Sequence, residues 1–306
     1  MSRPVQIACV QFATRAVRGA SDSQKIILEE LEGVFRRLAG YRDQLVVFCE
    51  GVEAYAQTPE TAENVQRGGP MLAAYRRLAT AEGCHVAASM KTERGGKCFN
   101  SVVFLDPRGE VLGVYDKVNL TDGERNGGLS PGAGAVVVES ALGRLGGLVC
   151  FDLNFQNVLD GYRRLKPDIL AFPSMYHGGL MQQVFAYQTR AFFAAALPFD
   201  GGGILDPFGR EVKVTDCYSP IARATVDLDR VMVHLDFNRE KFPDIERKYG
   251  REVTVDIPAN VGPALITSRS DKRSAADLVR EFGLETLDAY LERSTAANDG
   301  KRGGTA

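Results

Sequence analysis

The chain has 306 residues, 44 % of them hydrophobic, enough to bury a substantial core as one large α/β domain or two smaller ones, with one favoured. Thirty-seven basic residues against thirty-nine acidic ones give a net charge of -2, and no Lys/Arg block is long enough to track a phosphate backbone, so nucleic acid is not expected as a partner. The most apolar stretch, Ala191 to Phe199, is far short of a bilayer span, Met1-Ser2-Arg3-Pro4 leads into a strand-like segment rather than a secretory signal, and six singly spaced cysteines fit a reducing compartment, so a cytoplasmic protein without membrane contact is expected.

Val5 to Phe12 is an apolar run rich in β-branched residues and predicts a strand. Ser21 to Leu38 follows with Ile27, Leu31, Val34, Phe35 and Leu38 at helical spacing, and Ser21 with Gln24 has the spacing of a capping box. Gln44 to Glu50 predicts a buried strand, Pro70 to Ala81 an amphipathic helix and His85 to Lys91 a third strand. This alternation argues an α/β layer structure. Phe99 to Leu105 and Glu110 to Tyr115, joined by Asp106-Pro107-Arg108-Gly109, read as a hairpin. Next come strands at Ala135 to Glu139 and Gly143 to Cys150, a helix from Phe155 to Leu165, a strand at Asp168 to Phe172 and a helix from Gln182 to Ala196.

Gly203 to Val212 then repeats the apolar-Asp-Pro-x-Gly design of the first hairpin, at Asp206-Pro207-Phe208-Gly209. Two matching hairpins, each after a strand-helix-strand stretch, hint at two similar halves: a sandwich of two sheets with helices outside. Asp-Pro-x-Gly is also a common turn in its own right. Residues 230–268 carry few periodic signals. Ser274 and Asp277 form a second capping box ahead of Leu278, Phe282, Leu287 and Leu291, which predicts an outlying amphipathic helix that buries its apolar face on the body or on a partner subunit. The expected organisation is one domain over 1–270, a helix over 271–293 and a polar, Gly-rich, disordered tail over 294–306.

Three apolar runs end on reactive side chains: Glu50 after Leu45 to Cys49, Lys117 after Val111 to Asp116, and Cys150 after Leu145 to Val149. A cysteine attacks carbonyl or nitrile carbon as thiolate, which calls for a base to take its proton and for positive charge or a helix N-terminus to favour the anion. Phe151 to Phe155 leads into a predicted helix, so backbone N–H groups at that turn can face a developing oxyanion. Glu50 is the candidate base and Lys117 the cation that steadies thiolate and oxyanion. Taken singly, each has a plainer reading, a buried structural thiol for the cysteine and solvated loop residues for the other two. His85, His177 and His234 stand apart, with no i,i+4 His pair and no Cys-x-x-Cys, so no zinc site is expected. A Cys-His hydrolase with His177 as base would need a different fold.

Phe48-Cys49-Glu50, Tyr115-Asp116-Lys117-Val118-Asn119-Leu120 and Gly147-Leu148-Val149-Cys150-Phe151-Asp152 resemble, in order and spacing, the three signature blocks of the nitrilase-like carbon-nitrogen hydrolase superfamily. The resemblance covers about residues 5–230 and implies a four-layer α-β-β-α sandwich with internal two-fold character, in keeping with the paired hairpins. It implies a Glu-Lys-Cys triad with no metal or organic cofactor: Glu50 as general base, Lys117 as cationic stabiliser and Cys150 as nucleophile. Glu124, in Asp122-Gly123-Glu124-Arg125, matches a second glutamate that positions substrate or lysine.

It further implies that water hydrolyses a non-peptide carbon-nitrogen bond of a small molecule through a cysteine thioester, an amide before a nitrile, in a homodimer or larger homo-oligomer. The Phe151 backbone N–H with Lys117 would form the oxyanion hole. Where many relatives carry arginine after the nucleophile this chain has Leu153 and Asn154, which argues against an N-carbamoyl hydrolase reading a free carboxylate there. Tyr176 takes the place of a usual Trp and, with His177, is expected at the pocket mouth; Asn119 takes the place of a common His. A nitrilase, an N-carbamoyl hydrolase, or a catalytically idle binding protein that keeps the sandwich remain as alternatives.

Overall fold

Strand β1 (Pro4–Val10) runs parallel to β2 (Leu45–Phe48), Ile7 opposite Leu45 and Val10 opposite Phe48, because helix α1 (Ser23–Leu38) carries the chain back between them. The computed structural model of the protein describes residues 1–52 and 57–303. Ile27, Leu31, Val34, Phe35 and Leu38 of α1 are buried, as their spacing predicts. The helix begins at Ser23, behind Asp22, and has no side-chain cap, so the expected Ser21–Gln24 box is absent. The loop ahead of it is closed instead by the Ser23 hydroxyl, which donates to the Val17 carbonyl.

Helix α2 (Pro70–Glu82) leads to β3 (His85–Arg94), parallel to β2, and then to the hairpin of β4 (Lys97–Leu105) and β5 (Val111–Asp116). The short helix α3 (Asp122–Asn126) and strand β6 (Val137–Glu139) follow. The pattern then recurs: β7 (Arg144–Gly147), α4 (Gln156–Leu165), β8 (Ile169–Pro173), α5 (Leu180–Thr189), β9 (Phe192–Ala196), and a hairpin of β10 (Gly203–Leu205) and β11 (Glu211–Val214), before β12 (Ile221–Asp227).

Each half is thus strand-helix-strand-helix-strand-hairpin, and the two sheets have corresponding orders, β12-β1-β2-β3-β4-β5 and β11-β10-β9-β8-β7-β6. In both, three parallel strands are followed by an antiparallel hairpin. The hairpin turns match in detail. Asp106 Oδ1 accepts from the N–H groups of Arg108 and Glu110, and Asp206 Oδ1 from those of Phe208 and Arg210, while Gly109 and Gly209 both close the turn at φ 79°, where a side chain is disfavoured. The two-fold character anticipated from the repeated Asp-Pro-x-Gly is therefore present in the topology.

The sheets pack face to face. A Cβ on Gly147 would stand 3.2 Å from Phe104 and Tyr115 of the opposite sheet, and the Cys9 thiol lies 3.6 Å from the Gly203 carbonyl oxygen. Helices α1 and α2 cover one outer face, where Phe35, Phe48 and Tyr75 interlock with ring centroids 5.0 to 6.5 Å apart, and α4 and α5 cover the other. This is the four-layer α-β-β-α sandwich. One element departs from its prediction: the segment read as a helix from Gln182 to Ala196 is helical only to Thr189, turns at Arg190 with φ 59°, and continues as β9. A strand buried on both faces has no polar alternation, so Phe192-Phe193-Ala194-Ala195-Ala196 carries no period to distinguish it from helix.

The contacts divide the chain into two compact units, residues 6–225 and residues 1–5 with 226 onward. The division falls well before residue 270, where the sequence places it, because the weakly patterned residues 230–268 contain three short strands. These are β13 (Arg230–His234), β14 (Val253–Asp256) and β15 (Pro263–Ser268), which form a sheet in the order β13-β15-β14, with α6 (Phe242–Tyr249) between β13 and β14. Val233, Phe242, Ile245, Ile266 and Leu278 make this unit's own core.

The Ser274–Asp277 capping box is present, each side chain bonded to the other residue's backbone N–H. The helix it opens stops early: α7 (Ala275–Glu281) and α8 (Leu287–Gly303) are separate. Residues 294–303, expected as a disordered tail, are the last turns of α8, supported by an i,i+3 pair between Arg302 and Asp299; residues 304–306 lie outside the described residues.

Candidate active site

All the groups singled out at strand ends belong to the unit of residues 6–225. Glu50 lies two residues beyond β2, Lys117 directly after β5, and Cys150 three residues beyond β7, where a 3-10 turn over Cys150–Asn154 begins. Cys150 has φ 49°, a conformation a side chain rarely adopts and one that bends the chain sharply at the thiol. Glu50, Lys117, Glu124, Cys150, Asn100 and Met175 line one cavity of about 570 Å³.

Lys117 is 1 % exposed, and its Nζ donates to Glu50 Oε1 at 3.1 Å and to Glu124 Oε1 at 2.9 Å. Asn100 Nδ2 donates to the same two oxygens, at 2.8 Å each. The other oxygen of Glu50 accepts from the Met175 backbone N–H at 2.9 Å. Glu124 opens α3 through a capping box: its Oε2 accepts from the N–H of Thr121 at 2.9 Å while its own N–H donates to the Thr121 hydroxyl. A buried carboxylate, Glu50, and a partly buried one, Glu124, are thus bridged by one ammonium and one amide.

Burial pulls the Lys117 ammonium toward deprotonation, but the charges of Glu50, Cys150 and Glu124 outweigh it and leave its pKa above the ordinary value. Burial pushes the Glu124 carboxyl up, and Lys117 with the hydrogen bonds from Asn100 and Thr121 more than reverses this, leaving it below the ordinary value. The Cys150 thiol moves the other way. Burial first, then the Glu50 charge, push it up to about 12 against the pull of Lys117. That balance favours a neutral thiol at rest, which leaves its proton to be taken by a base such as the Glu50 proposed from the sequence.

The four other predicted residues are not among the described residues that line this cavity. Phe151, 37 % exposed, faces a neighbouring depression with Asn119, Thr121 and Arg125, its ring edge-on to Phe155. Asn154 donates to the Phe151 carbonyl at 3.1 Å and accepts from the Tyr176 hydroxyl at 3.4 Å. Tyr176 is exposed, and His177 stacks on Phe199 and accepts from the Gly179 N–H.

Sequence reasoning missed Asn100 and Asp152. Asn100 is a polar residue in an apolar strand, the one signal that marks it. Asp152, fully buried, accepts from the Tyr115 hydroxyl at 2.7 Å, the Asn119 N–H at 2.7 Å and amide at 3.1 Å, and the N–H groups of Val118 and Val149 at 3.4 and 3.3 Å. It ties the Lys117 loop to the Cys150 turn.

Among curated proteins, the chain is 23 % identical to a hydrolase of Schizosaccharomyces pombe over 54 % of its own length and 60 % of that protein. It is 28 % identical to the nitrilase and fragile histidine triad fusion protein NitFhit of Drosophila melanogaster over 61 % of its own length and 45 % of that protein. To the omega-amidase NIT2 of Danio rerio it is 23 % identical over 47 % of its own length and 61 % of that protein. It thus spans between 45 % and 61 % of the length of these relatives.

Its fold is that of Saccharomyces cerevisiae Nit3, a nitrilase superfamily member, with TM-score 0.62 at 15 % identity, covering 81 % of this chain and 95 % of that one. An amidase from Nesterenkonia sp. superposes with TM-score 0.60 at 19 % identity, covering 81 % and 97 %. The family model described as carbon-nitrogen hydrolase matches residues 6–231, the whole of the sandwich, and the chain belongs to that family.

Proposed function

We propose that the chain is a cysteine-dependent amidase that cleaves a small-molecule amide through a thioester on Cys150. What carries this reading is the meeting, in one cavity, of a buried thiol, a buried carboxylate, and an ammonium shared by that carboxylate and Glu124. The resting thiol is neutral, so deprotonation accompanies attack. As sulfur bonds to the amide carbon, its proton passes to Glu50, and the carbonyl electrons move to an oxyanion held by Lys117 and the Phe151 N–H. Glu50 then gives the proton to the nitrogen, the carbon-nitrogen bond breaks, and an amine or ammonia leaves a thioester behind. Water enters, Glu50 takes one of its protons, the hydroxide adds to the thioester carbon, and the acid departs as the proton returns to sulfur. Glu124, bonded to both Lys117 and Asn100, is the positioning residue of the set.

Ammonia release from a panel of amides, carbamoyl compounds and nitriles tests the reading. The expected result is release from amides by the wild type, none by Cys150→Ala, and an acyl-enzyme mass on Cys150 when turnover is quenched. Release that survives Cys150→Ala, or a panel in which only nitriles react, overturns it.

Two further features belong to the same proposal. Met175, Tyr176 and Leu180 expose large apolar side chains close together in sequence, which supports pairing with a second copy, and sedimentation of a dilute, active monomer would count against that. The six cysteines, none of them joined in a disulfide, support a reducing compartment such as the cytoplasm.

A further inference from the structure

Asn100 on β4 is tied to the charged groups of the cavity by its main chain and by its side chain. Its carbonyl oxygen accepts from the Lys117 backbone N–H at 2.8 Å. Its Nδ2 donates at 2.8 Å to both Glu50 Oε1 and Glu124 Oε1, the same two oxygens that Lys117 Nζ serves, so the four groups close a ring in which donor and acceptor alternate. The residue is 5 % exposed and lines the cavity that holds Cys150. Its Oδ1 is buried and has no hydrogen-bond partner among the described residues. A buried acceptor left unpaired costs stability, which an apolar side chain at this strand position would avoid, so the amide is kept for its two N–H protons.

A carboxylate oxygen has two lone pairs, and Glu50 Oε1 spends one on Lys117 and one on Asn100. Oε2 accepts only from the Met175 N–H among the described residues, so it keeps the free lone pair of this carboxylate. We infer that Asn100 is the positioning residue of the base: by filling Oε1 it leaves Oε2 as the oxygen that takes the Cys150 proton while sulfur bonds to the amide carbon. An amide does this without charge. It steadies the ionised carboxylate by hydrogen bonding, whereas a second cation at the same place would hold the charge more tightly and blunt the base. The charged side chains that line the cavity with Glu50 are Arg18, Lys91, Lys117 and Glu124, and a replacement at position 100 alters none of them. A change in the titration of the site then belongs to the lost hydrogen bonds. This inference deepens the amidase reading and rests on Glu50 as its base.

The test reads alkylation of Cys150 by iodoacetamide against pH, which needs no amide substrate, alongside ammonia release from a primary amide, for wild type, Asn100→Ala, Asn100→Ser and the isosteric Asn100→Asp. Asn100→Ala is expected to move the acid limb of the alkylation profile up by about one pH unit, because a carboxylate that loses a donor binds a proton more readily. It should lower kcat about a hundredfold with KM held within about threefold. Asn100→Ser, whose hydroxyl offers one proton in place of two, should fall between wild type and Asn100→Ala. Asn100→Asp keeps the shape and loses the donors, so it should be as slow as Asn100→Ala or slower. An acid limb that stays in place in Asn100→Ala and Asn100→Ser, an Asn100→Asp as fast as wild type, or loss of folding in all three variants would make Asn100 a spacer or a structural bracket and overturn the inference. A limb displaced in the variants, with no ammonia from any amide in the wild type, would fail the amidase reading and leave the assignment of Asn100 standing.

Discussion

The Tyr115 hydroxyl donates a 2.7 Å hydrogen bond to Asp152 Oδ2, joining the end of β5, which delivers Lys117, to the turn that delivers Cys150. Both residues are fully buried, and Asp152 accepts four further hydrogen bonds from the two segments. Tyr115→Phe removes one of five and is expected to cost about 1 kcal/mol in urea unfolding. Asp152→Ala strands several buried donors at once and is expected to cost about 3 kcal/mol or more. With the amide substrate, Tyr115→Phe should lower kcat more than it raises KM, because it loosens the alignment of lysine and thiol rather than a substrate contact. An unaltered kcat in Tyr115→Phe would show that the two segments hold their places without this bond.

Lys117 neutralises two carboxylates at once, which sets the sign of a second expectation. Lys117→Met leaves the buried Glu50 and the partly buried Glu124 both bonded to Asn100 Nδ2, with no cation between them. Removing one partner of a buried ionic group costs about 3 to 5 kcal/mol, and this variant should lose stability on that scale together with its activity. Adding Glu124→Gln removes one of the stranded charges and should restore part of the stability but none of the activity. Denaturation of the two single variants and the double variant forms the cycle that checks it. Additive losses would show that Lys117 and Glu124 are not coupled.

The groups of the site were legible to unequal degrees. Glu50, Lys117 and Cys150 each follow an apolar run, so strand-end position marked them, and the three blocks together carried the family resemblance. The repeated Asp-Pro-x-Gly exposed the two-fold topology, because each Asp side chain and each Gly at positive φ is demanded by the turn itself. Asn100 was hidden, since a single amide within Phe99-Asn100-Ser101-Val102 acquires meaning only when β4 brings it beside two carboxylates from other segments. Phe151, Asn154, Tyr176 and His177 were placed by proximity in sequence to the nucleophile and to β8, and none of the four is among the described residues that line the cavity. The second unit was obscured by its short strands, of four to six residues, which are too brief to show a period.

Cys150 should carry no thiolate at neutral pH. Burial and the Glu50 charge push its pKa up to about 12, so the thiol remains protonated throughout the range in which an exposed cysteine begins to ionise. The difference in ultraviolet thiolate absorbance between wild type and Cys150→Ala should stay flat from about pH 6 to about pH 9. Modification of Cys150 by a small haloacetamide should nonetheless depend on Glu50 as proton acceptor, and Glu50→Gln is expected to slow it by about a hundredfold. A thiolate band that titrates below neutral pH would instead mean that Lys117 dominates the sulfur.

Glu124 supplies a pH dependence of stability whose direction is fixed by its environment. Its folded-state pKa lies below the ordinary value of 4.5, because Lys117, Asn100 and Thr121 together outweigh burial. The unfolded chain therefore binds the proton first on acidification. The stabilising contribution is complete above 4.5 and is lost as pH falls through the lower folded-state value. Urea midpoints measured from neutral pH downward should fall below that point in the wild type. Glu124→Gln should start from a lower midpoint and decline less steeply, so the gap between the two proteins narrows with acid. Parallel curves would show that the carboxylate has no preferred ionised state in the folded protein, and its ion pair with Lys117 would then contribute nothing to holding the lysine in place.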